Sequence, residues 1–280
     1  MINKKYKKGY IVVFLICAVL MAVGAKYDWM ITDTLYNPKN IFGVIFEAFS
    51  WLPIYAYLPI WGATMMIRNK NNMSTFLIGT GLLIATNSMF IYSALSSMAE
   101  RGFVNKANPY LSGMIGGIIA AVMFLLMRNL NRETVRKIQA VCSFAFVYMF
   151  SYLGSIFVLK VIFGRDRYED IITGGAYKFA DWFKPVFFSD GSSFPSGHTA
   201  AAMGIIILLI LPFVFEFFRG KQLPLFIGCY VYVALTAFSR LIMGRHFLSD
   251  TAMAVIVMTI VFIVLTPFFE RIYRKELLKN

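Results

Sequence analysis

The chain has 280 residues, of which 59% are hydrophobic and 15% are charged, with 27 basic and 14 acidic residues. A soluble domain of this length carries about a quarter charged residues, so the composition excludes an ordinary soluble protein. Continuous apolar runs of about 20 residues recur along the chain without the alternation of a β-barrel. We therefore predict an all-α fold, a polytopic membrane helix bundle.

Eight membrane spans are predicted, and the first follows the basic segment "KKYKKGY". That span could instead be a signal peptide cleaved at "VGA", residues 23–25, but we favour an uncleaved span. Pro53 and Pro59 predict a kink in the second span, and residues 28–48 are predicted to be interfacial. Without linkers or repeats, residues 1–280 are expected to form a single integral membrane domain. The spans cover about 9–27, 49–67, 74–95, 110–127, 138–160, 197–218, 223–240 and 250–269.

The net charge of +13 is explained more simply by the positive-inside rule than by nucleic-acid binding. With the N-terminus inside, sixteen of the 27 basic residues fall in segments on the same side, and every dense cluster is among them. Both termini are therefore predicted to be cytoplasmic. The inner basic residues are Lys4, Lys5, Lys7, Lys8, Arg68, Lys70, Arg128, Arg132, Arg136, Lys137, Arg219, Lys221, Arg271, Arg274, Lys275 and Lys279.

Six other charged or imidazole side chains stand at span ends on the opposite, outer side. Two of them are the only histidines of the chain, and each lies beside the start of an apolar run. Loop counting alone brings these residues to one side, from four different helix ends, and so indicates one site. The six are Lys160, Arg167, His198, Arg240, His246 and Asp250.

The segment "PSGH" places Ser196, Gly197 and His198 in the first turn of the sixth span. A helix start offers unpaired N–H groups and a partial positive charge, which favour an anion. Glycine lets a ligand approach the backbone closely. The alternative is an ordinary serine N-cap after a proline.

The segment "SRLIMGRHFLSD" spaces His246 and Asp250 four residues apart, so on a helix they share one face. A carboxylate on one ring nitrogen fixes the tautomer and leaves the other nitrogen free as a base or nucleophile. Alternatively, Asp250 only caps the eighth span. Lys160 and Arg167 could likewise be cations that snorkel to the headgroups.

Metal binding is the competing chemistry, since two histidines and an aspartate could hold zinc. The nearby fixed cations would repel a metal ion, however, and they favour an anionic substrate, most simply a phosphate. The cysteines are spaced too widely for a metal cluster and are expected to be buried packing residues. These cysteines are Cys17, Cys142 and Cys229.

The three polar segments resemble the signature motifs of the type 2 phosphatidic acid phosphatase family, which is grouped with vanadium haloperoxidases. The family pattern is Lys-x6-Arg-Pro, Pro-Ser-Gly-His and Ser-Arg-x5-His-x3-Asp. The second motif is complete at 195–198 and the third at 239–250, whereas Tyr168 replaces the proline of the first. Family members usually have six core helices with the first motif after the third span. Here that motif follows the fifth. Either two additional helices precede or join a motif-bearing core at about 138–269, or one pair of the predicted spans is split or wrong.

The resemblance implies a role for each matched residue. His246 is the nucleophile that forms a phosphohistidine, and Asp250 orients it. His198 is the general acid for the leaving oxygen and then the base that activates water. The site needs neither cofactor nor metal, because fixed cations stabilise the charge on the phosphoryl oxygens. The phosphate-binding groups are Lys160, Arg167, Ser196, the Gly197 N–H and Arg240.

The expected activity is hydrolysis of a lipid phosphomonoester or pyrophosphate at the outer face of a cell membrane, in a bacterium. The alternatives are phosphotransfer to a lipid alcohol and a transporter or other non-enzyme that only binds lipid phosphate. Candidate lipids are phosphatidate, phosphatidylglycerophosphate, undecaprenyl pyrophosphate and a lipid A-type phosphate; the oligomeric state stays open. Aromatic residues in the loop 161–194 predict an interfacial lid or belt. They are Tyr168, Tyr177, Trp182, Phe183, Phe187 and Phe188.

Overall fold

The computed structural model describes residues 2–69, 71–174, 176–187 and 189–277, with side chains as far as Tyr273. Among the residues used above, Lys70, Phe188 and Lys279 lie outside the described residues, as do the side chains of Arg274 and Lys275. The regular secondary structure of the described residues is entirely helical, with no strand, which confirms the all-α prediction.

Twelve α-helices follow one another along the described chain. A 3₁₀ segment, Met203–Ile210, joins α9 to α10, and Glu216–Phe218 is a second one. The helices are α1 (Ile2–Leu35), α2 (Ile41–Phe49), α3 (Leu52–Tyr55), α4 (Tyr57–Arg68), α5 (Met73–Glu100), α6 (Pro109–Met127), α7 (Arg132–Phe163), α8 (Tyr168–Ile172), α9 (Gly197–Ala202), α10 (Leu211–Val214), α11 (Gln222–Ile242) and α12 (Leu248–Leu277).

Eight helical segments are long and apolar enough to cross a membrane, as the sequence predicted. The first is longer than expected, because α1 continues to Leu35 through the segment assigned to the interface. The remainder of that segment forms α2, which packs against α5 and α11. The predicted kink in the second span is confirmed as a break into α2, α3 and α4, with Pro53 in the first turn of α3.

Six spans share the main hydrophobic core, and two lie beside it. The main core joins α1, the α3–α4 segment, α7, the sixth span, α11 and α12. The helices α5 and α6 pack against each other and against α4, around a smaller cluster of Ala63, Met66, Leu83 and Ala120. Both helices precede the motif-bearing segment in the chain, so they are the candidates for the two additional helices.

The two chain ends lie at the same end of the bundle. The Ile2 backbone N–H donates to Glu270 at 2.6 Å, and the Asn3 amide donates to the Ile263 carbonyl at 2.8 Å. The start of α1 therefore runs beside the end of α12. That this end faces the cytoplasm stays a prediction.

The loop between α7 and α9 is anchored near the end of α7. Gly164 adopts a left-handed conformation with φ of 44°, which ends the helix before the first motif is complete. The Val186 N–H then bonds to the Phe163 carbonyl at 3.2 Å, and the Ser193 N–H bonds to the Arg165 carbonyl at 2.8 Å. These bonds return the loop to the end of α7, where the PSGH segment begins.

The predicted aromatic lid divides into buried and exposed members. Tyr168 is buried and donates to Asp33 at 2.6 Å. Trp182 is half-buried, donates to the Met21 carbonyl at 3.1 Å and stacks on Phe194. These two rings therefore hold the loop against α1. The exposed aromatic side chains of the prediction are Tyr177, Phe183 and Phe187.

Candidate active site

The structure brings the three motifs together at the end of the bundle opposite the termini. Lys160 lies near the end of α7, Arg240 near the end of α11, and Asp250 in the first turn of α12. The rings of His198 and His246 are 6.2 Å apart between centroids. Lys160 and Arg167 lie close enough to His246 for their positive charges to influence the protonation of its ring. Arg167 and Arg240 do the same for His198. The other two predicted phosphate-binding residues, Ser196 and Gly197, form the start of α9.

Ser196 is a buried N-cap of α9, as the alternative interpretation of the PSGH segment expected. Its hydroxyl oxygen accepts from the Thr199 N–H at 3.3 Å and from the Thr199 hydroxyl at 3.0 Å. The hydroxyl proton of Ser196 is left to donate to a ligand. Capping and anion binding are therefore compatible in this residue.

Gly197 is buried, but its surroundings would admit a side-chain carbon without a clash. A Cβ placed on Gly197 would meet nothing nearer than Lys160 Cε at 3.9 Å and the Tyr152 hydroxyl at 4.0 Å. Close packing therefore does not explain the glycine. The glycine instead leaves a gap of about one carbon atom at the helix start, beside the Lys160 side chain.

His246 Nδ1 lies 2.7 Å from the backbone carbonyl oxygen of Ser193. A carbonyl oxygen only accepts, so Nδ1 carries the proton and Nε2 keeps its lone pair. Asp250 was expected to make this contact, but its nearest oxygen is 3.8 Å from Nδ1, beyond hydrogen-bond range. Ser193 therefore sets the tautomer, and sequence reasoning missed it because a backbone carbonyl has no sequence signal.

Asp250 instead connects the segments around His246. One carboxylate oxygen accepts from the Ser193 hydroxyl at 2.5 Å and from the Phe247 N–H at 2.7 Å. The Asp250 carbonyl accepts from the Ser196 N–H at 3.0 Å. One aspartate thus fixes Ser193, whose carbonyl holds the His246 ring, together with the start of α9.

Arg165 and Asp28 extend this network, and neither was predicted as a site residue. Arg165 donates to Asp250 at 2.6 Å and to Asp28 at 3.0 Å, and it lies over the Phe247 ring at 4.1 Å. Asp28 also accepts from the backbone N–H and the hydroxyl of Ser249. The signal for Asp28 was a lone carboxylate in an apolar run, since such a group requires a partner.

Two arginines of the motifs keep buried N–H groups without a hydrogen-bond acceptor. These atoms are Arg167 Nε and Arg240 Nη1. Arg240 is completely buried; its Nε donates to Ser239 at 3.1 Å and its Nη2 to the Gly43 carbonyl at 3.0 Å. Lys160 donates to the carbonyl of Ser192. An anion between the arginines would satisfy donors that are otherwise costly to bury.

Glu47, on α2, holds the arginine side of the site. Its carboxylate accepts from Arg101 at 2.9 Å and from Arg245 at 3.1 Å, and it lies 3.5 Å from Arg240 Nη1. Arg101 also donates to Glu169 at 2.7 Å. Burial opposes the charge on Arg101, but the hydrogen bonds to the two glutamates prevail and raise its pKa above the ordinary value. Glu47 thus holds the buried Arg240 in place, because its negative charge compensates the positive charge of the arginine.

Burial lowers the pKa of His246 to about 4, and the positive charge of Lys160 acts in the same direction. The nearby Asp250 carboxylate opposes this shift without cancelling it. His246 is therefore a neutral imidazole at neutral pH. A neutral ring with a fixed Nδ1 proton and a free Nε2 lone pair is the form that can act as a nucleophile.

No group of three His, Cys, Asp or Glu side chains that could hold a metal ion occurs in the part of the chain that the structure describes. The oxygens of Asp250 already accept from Arg165, Ser193 and Phe247. The three cysteines are buried, as expected, at 2 to 4% exposure.

The eight apolar helices define a multi-pass membrane protein, and its two histidines lie among fixed cations at one end of the bundle. Residues 139–274 match the family model described as the PAP2 superfamily. This match covers 136 of the 280 residues, and over that segment it confirms the resemblance seen in the motifs. No curated protein and no solved structure matches the chain. All eight predicted site residues lie within 139–274, whereas Asp28, Glu47 and Arg101 lie before it.

Proposed function

We propose that the protein is a metal-independent lipid phosphate phosphatase that acts through a phosphohistidine on His246. The observation that carries the proposal is the bond between His246 Nδ1 and the Ser193 carbonyl, 2.7 Å long, beside a second histidine and three cations. This arrangement supports a nucleophile, an acid–base partner and a binding site for the phosphoryl oxygens.

In the first step, His246 Nε2 attacks phosphorus and the bond from phosphorus to the lipid oxygen breaks. His198 donates a proton to that leaving oxygen, which departs as an alcohol or a lipid phosphate. The His246 ring then carries a positive charge, with its Nδ1 proton still directed at Ser193. The Asp250 carboxylate, 3.8 Å away, stabilises this charge.

In the second step, His198 accepts a proton from water and the resulting hydroxide attacks phosphorus. The phosphorus–nitrogen bond breaks, its electron pair returns to Nε2, and inorganic phosphate leaves. Lys160, Arg167 and Arg240 stabilise the negative charge of the phosphoryl oxygens through both steps. Ser196 and the Gly197 N–H supply neutral donors to the same oxygens.

An apolar cavity beside His198 supports a lipid as the leaving group. The Trp51 ring lies 5.3 Å from the His198 ring, between centroids. Trp51 also lines a cavity of about 390 Å³ together with Leu58 on α4 and with Met89 and Phe90 on α5. Because His198 protonates the leaving group, the chain of that group would lie on this side.

The site is assigned to the outer face of a bacterial cell membrane, with both termini in the cytoplasm. The asymmetry of the basic residues supports this side. A site at helix ends near headgroup depth would reach the phosphate of phosphatidate, phosphatidylglycerophosphate, undecaprenyl pyrophosphate or a lipid A-type lipid.

The test is release of inorganic phosphate from a panel of these purified lipids in detergent with EDTA. We expect at least one lipid to be hydrolysed without an added acceptor, and His246→Ala to abolish that activity. Activity lost to EDTA and restored by zinc or magnesium would contradict the mechanism. Turnover that requires an acceptor alcohol would identify a phosphotransferase, and binding without turnover would identify a non-catalytic protein.

A further inference from the structure

A charged cavity lies at the end of the bundle opposite the histidines. It has a volume of about 900 Å³ and lies between the end of α4, the end of α6 and the start of α7. Lys160 stands about 40 Å beyond Arg132 along α7, at 1.5 Å of rise per residue. The hydrocarbon core of a bilayer is about 30 Å thick, so the two sites lie at opposite membrane faces.

The lining of this cavity suits an anion with several oxygen atoms. Arginine guanidinium groups supply planar pairs of donors, and asparagine amides supply neutral donors. None of the described residues that line the cavity is acidic. The nearest acid along α7, Glu133, is paired with Lys137 at 2.6 Å. The polar lining consists of Arg68, Asn69, Asn71, Asn72, Arg128, Arg132 and Arg136.

An apolar groove continues from the charged cavity between α4, α7 and α12. Its volume is about 420 Å³, and it shares Arg68 and Arg136 with the charged cavity. Trp61 lies on the α4 side, and Phe268 and Ile272 on α12 are 60% and 57% exposed. The charged cavity suits the anionic headgroup of a lipid, and the apolar groove suits its acyl chain.

We propose that these joined cavities bind an anionic phospholipid at the membrane face opposite the catalytic site. The headgroup phosphate lies among Arg68, Arg128 and Arg132, and an acyl chain lies along the groove beside Trp61. A lipid fits better than a soluble anion because the groove adjoins the charged cavity through shared residues. This binding site is separate from the histidines and does not depend on the proposed phosphatase activity.

The experiment uses Trp61 as the reporter of the groove. The full chain is placed in phosphatidylcholine nanodiscs that contain a minor fraction of brominated phosphatidylglycerol or brominated phosphatidylcholine. Trp61 fluorescence is the difference between the protein and its Trp61→Phe variant. We expect the brominated anionic lipid to quench Trp61 at a lower mole fraction than the zwitterionic one. Each arginine changed to glutamine among Arg68, Arg128 and Arg132 should weaken the effect about fivefold.

The matched control is Arg219→Gln/Lys221→Gln, which removes two cations in the loop before α11, outside the cavity. This variant should keep the preference, as should the triple Arg→Lys variant at 68, 128 and 132. Equal quenching by the two lipids, or equal loss in the control, would overturn the proposal. Displacement of the lipid by soluble glycerol phosphate at comparable concentration would also overturn it, in favour of a soluble anion. All three arginines are exposed, so the variants should fold.

Discussion

Arg165 donates to Asp250 over 2.6 Å, and the two side chains are 2% and 0% exposed. The same guanidinium donates to Asp28, which is also buried and comes from the first helix. One arginine thus compensates two carboxylates and joins α1 to the start of α12. Because Asp250 in turn holds Ser193 and Phe247, this contact supports the position of the His246 ring.

Changing Arg165 to methionine should destabilise the protein strongly. Removing one partner of a buried charge cluster leaves the others unpaired and typically costs about 3–5 kcal/mol. Arg219→Met is the control, since its pair with Glu216 is exposed and is worth at most about 1 kcal/mol. The measurement is thermal unfolding of both variants in the same detergent. Equal midpoints for the two variants would show that the Arg165 cluster does not stabilise the fold.

His246 should remain neutral well below the pH at which an exposed histidine titrates. Burial places its pKa at about 4, against an ordinary value of about 6.5. Because the folded value is the lower one, the histidine contributes stability above pH 6.5, and this contribution is lost as the pH falls through 6.5 towards 4. The chain has two histidines, so NMR with labelled histidine in detergent should give two ring systems. His198→Ala assigns the one that remains.

The neutral ring should also show the tautomer with the proton on Nδ1, since that atom faces the Ser193 carbonyl. The nitrogen shifts of the assigned His246 ring measure this directly. A ring that titrates near 6.5, or one with its proton on Nε2, would contradict the assignment of Nε2 as the nucleophile.

Prediction from sequence was strongest where a local pattern decides the structure. Length and apolarity of the runs were enough for eight spans. The spacing of His246 and Asp250 favoured a shared helix face, but His246 precedes α12, which begins at Leu248, and only Asp250 lies on the helix. Asp28 and Glu47 show the limit. Each is a lone carboxylate whose partners are far along the chain, and helical periodicity does not tell which helices become neighbours. Likewise, no residue type marks the Ser193 carbonyl as the partner of His246.

Membrane orientation is tested by accessibility of single added cysteines. Asp190 is exposed in the loop before the PSGH segment, and Asn131 is exposed where it caps α7. Ser192 is a weaker choice in that loop, because it is half-buried and its carbonyl accepts from Lys160. On intact cells, a membrane-impermeant thiol reagent should label Asp190→Cys and leave Asn131→Cys unlabelled.

The native protein is the control for this labelling, since its three cysteines are buried and should not react. Permeabilised cells should label both variants, which verifies that each added thiol is reactive. Preferential labelling of Asn131→Cys on intact cells would reverse the orientation. The two histidines would then face the cytoplasm.

Replacing each of the two histidines should have different effects on turnover when the leaving group is varied. A nucleophile is needed for every substrate, whereas a general acid matters only for a poor leaving group. A lipid alkoxide needs a proton and a nitrophenolate does not. His246→Ala should therefore abolish turnover of both a lipid phosphate and nitrophenyl phosphate. His198→Ala should lose lipid turnover by about 10²-fold or more, the usual scale of acid–base assistance.

The His198→Ala enzyme should still form the phosphoenzyme from the aryl ester, because His246 keeps its fixed Nδ1 proton and its free Nε2. Rapid mixing should then show a burst of nitrophenol, together with acid-labile phosphate on the protein. The phosphoenzyme should persist, since His198 also activates the water that removes the phosphoryl group. Asp250→Asn should slow both substrates without removing the burst, because the nucleophile remains. A burst from His246→Ala but not from His198→Ala would reverse the two roles, and normal lipid turnover by both would place the active site elsewhere.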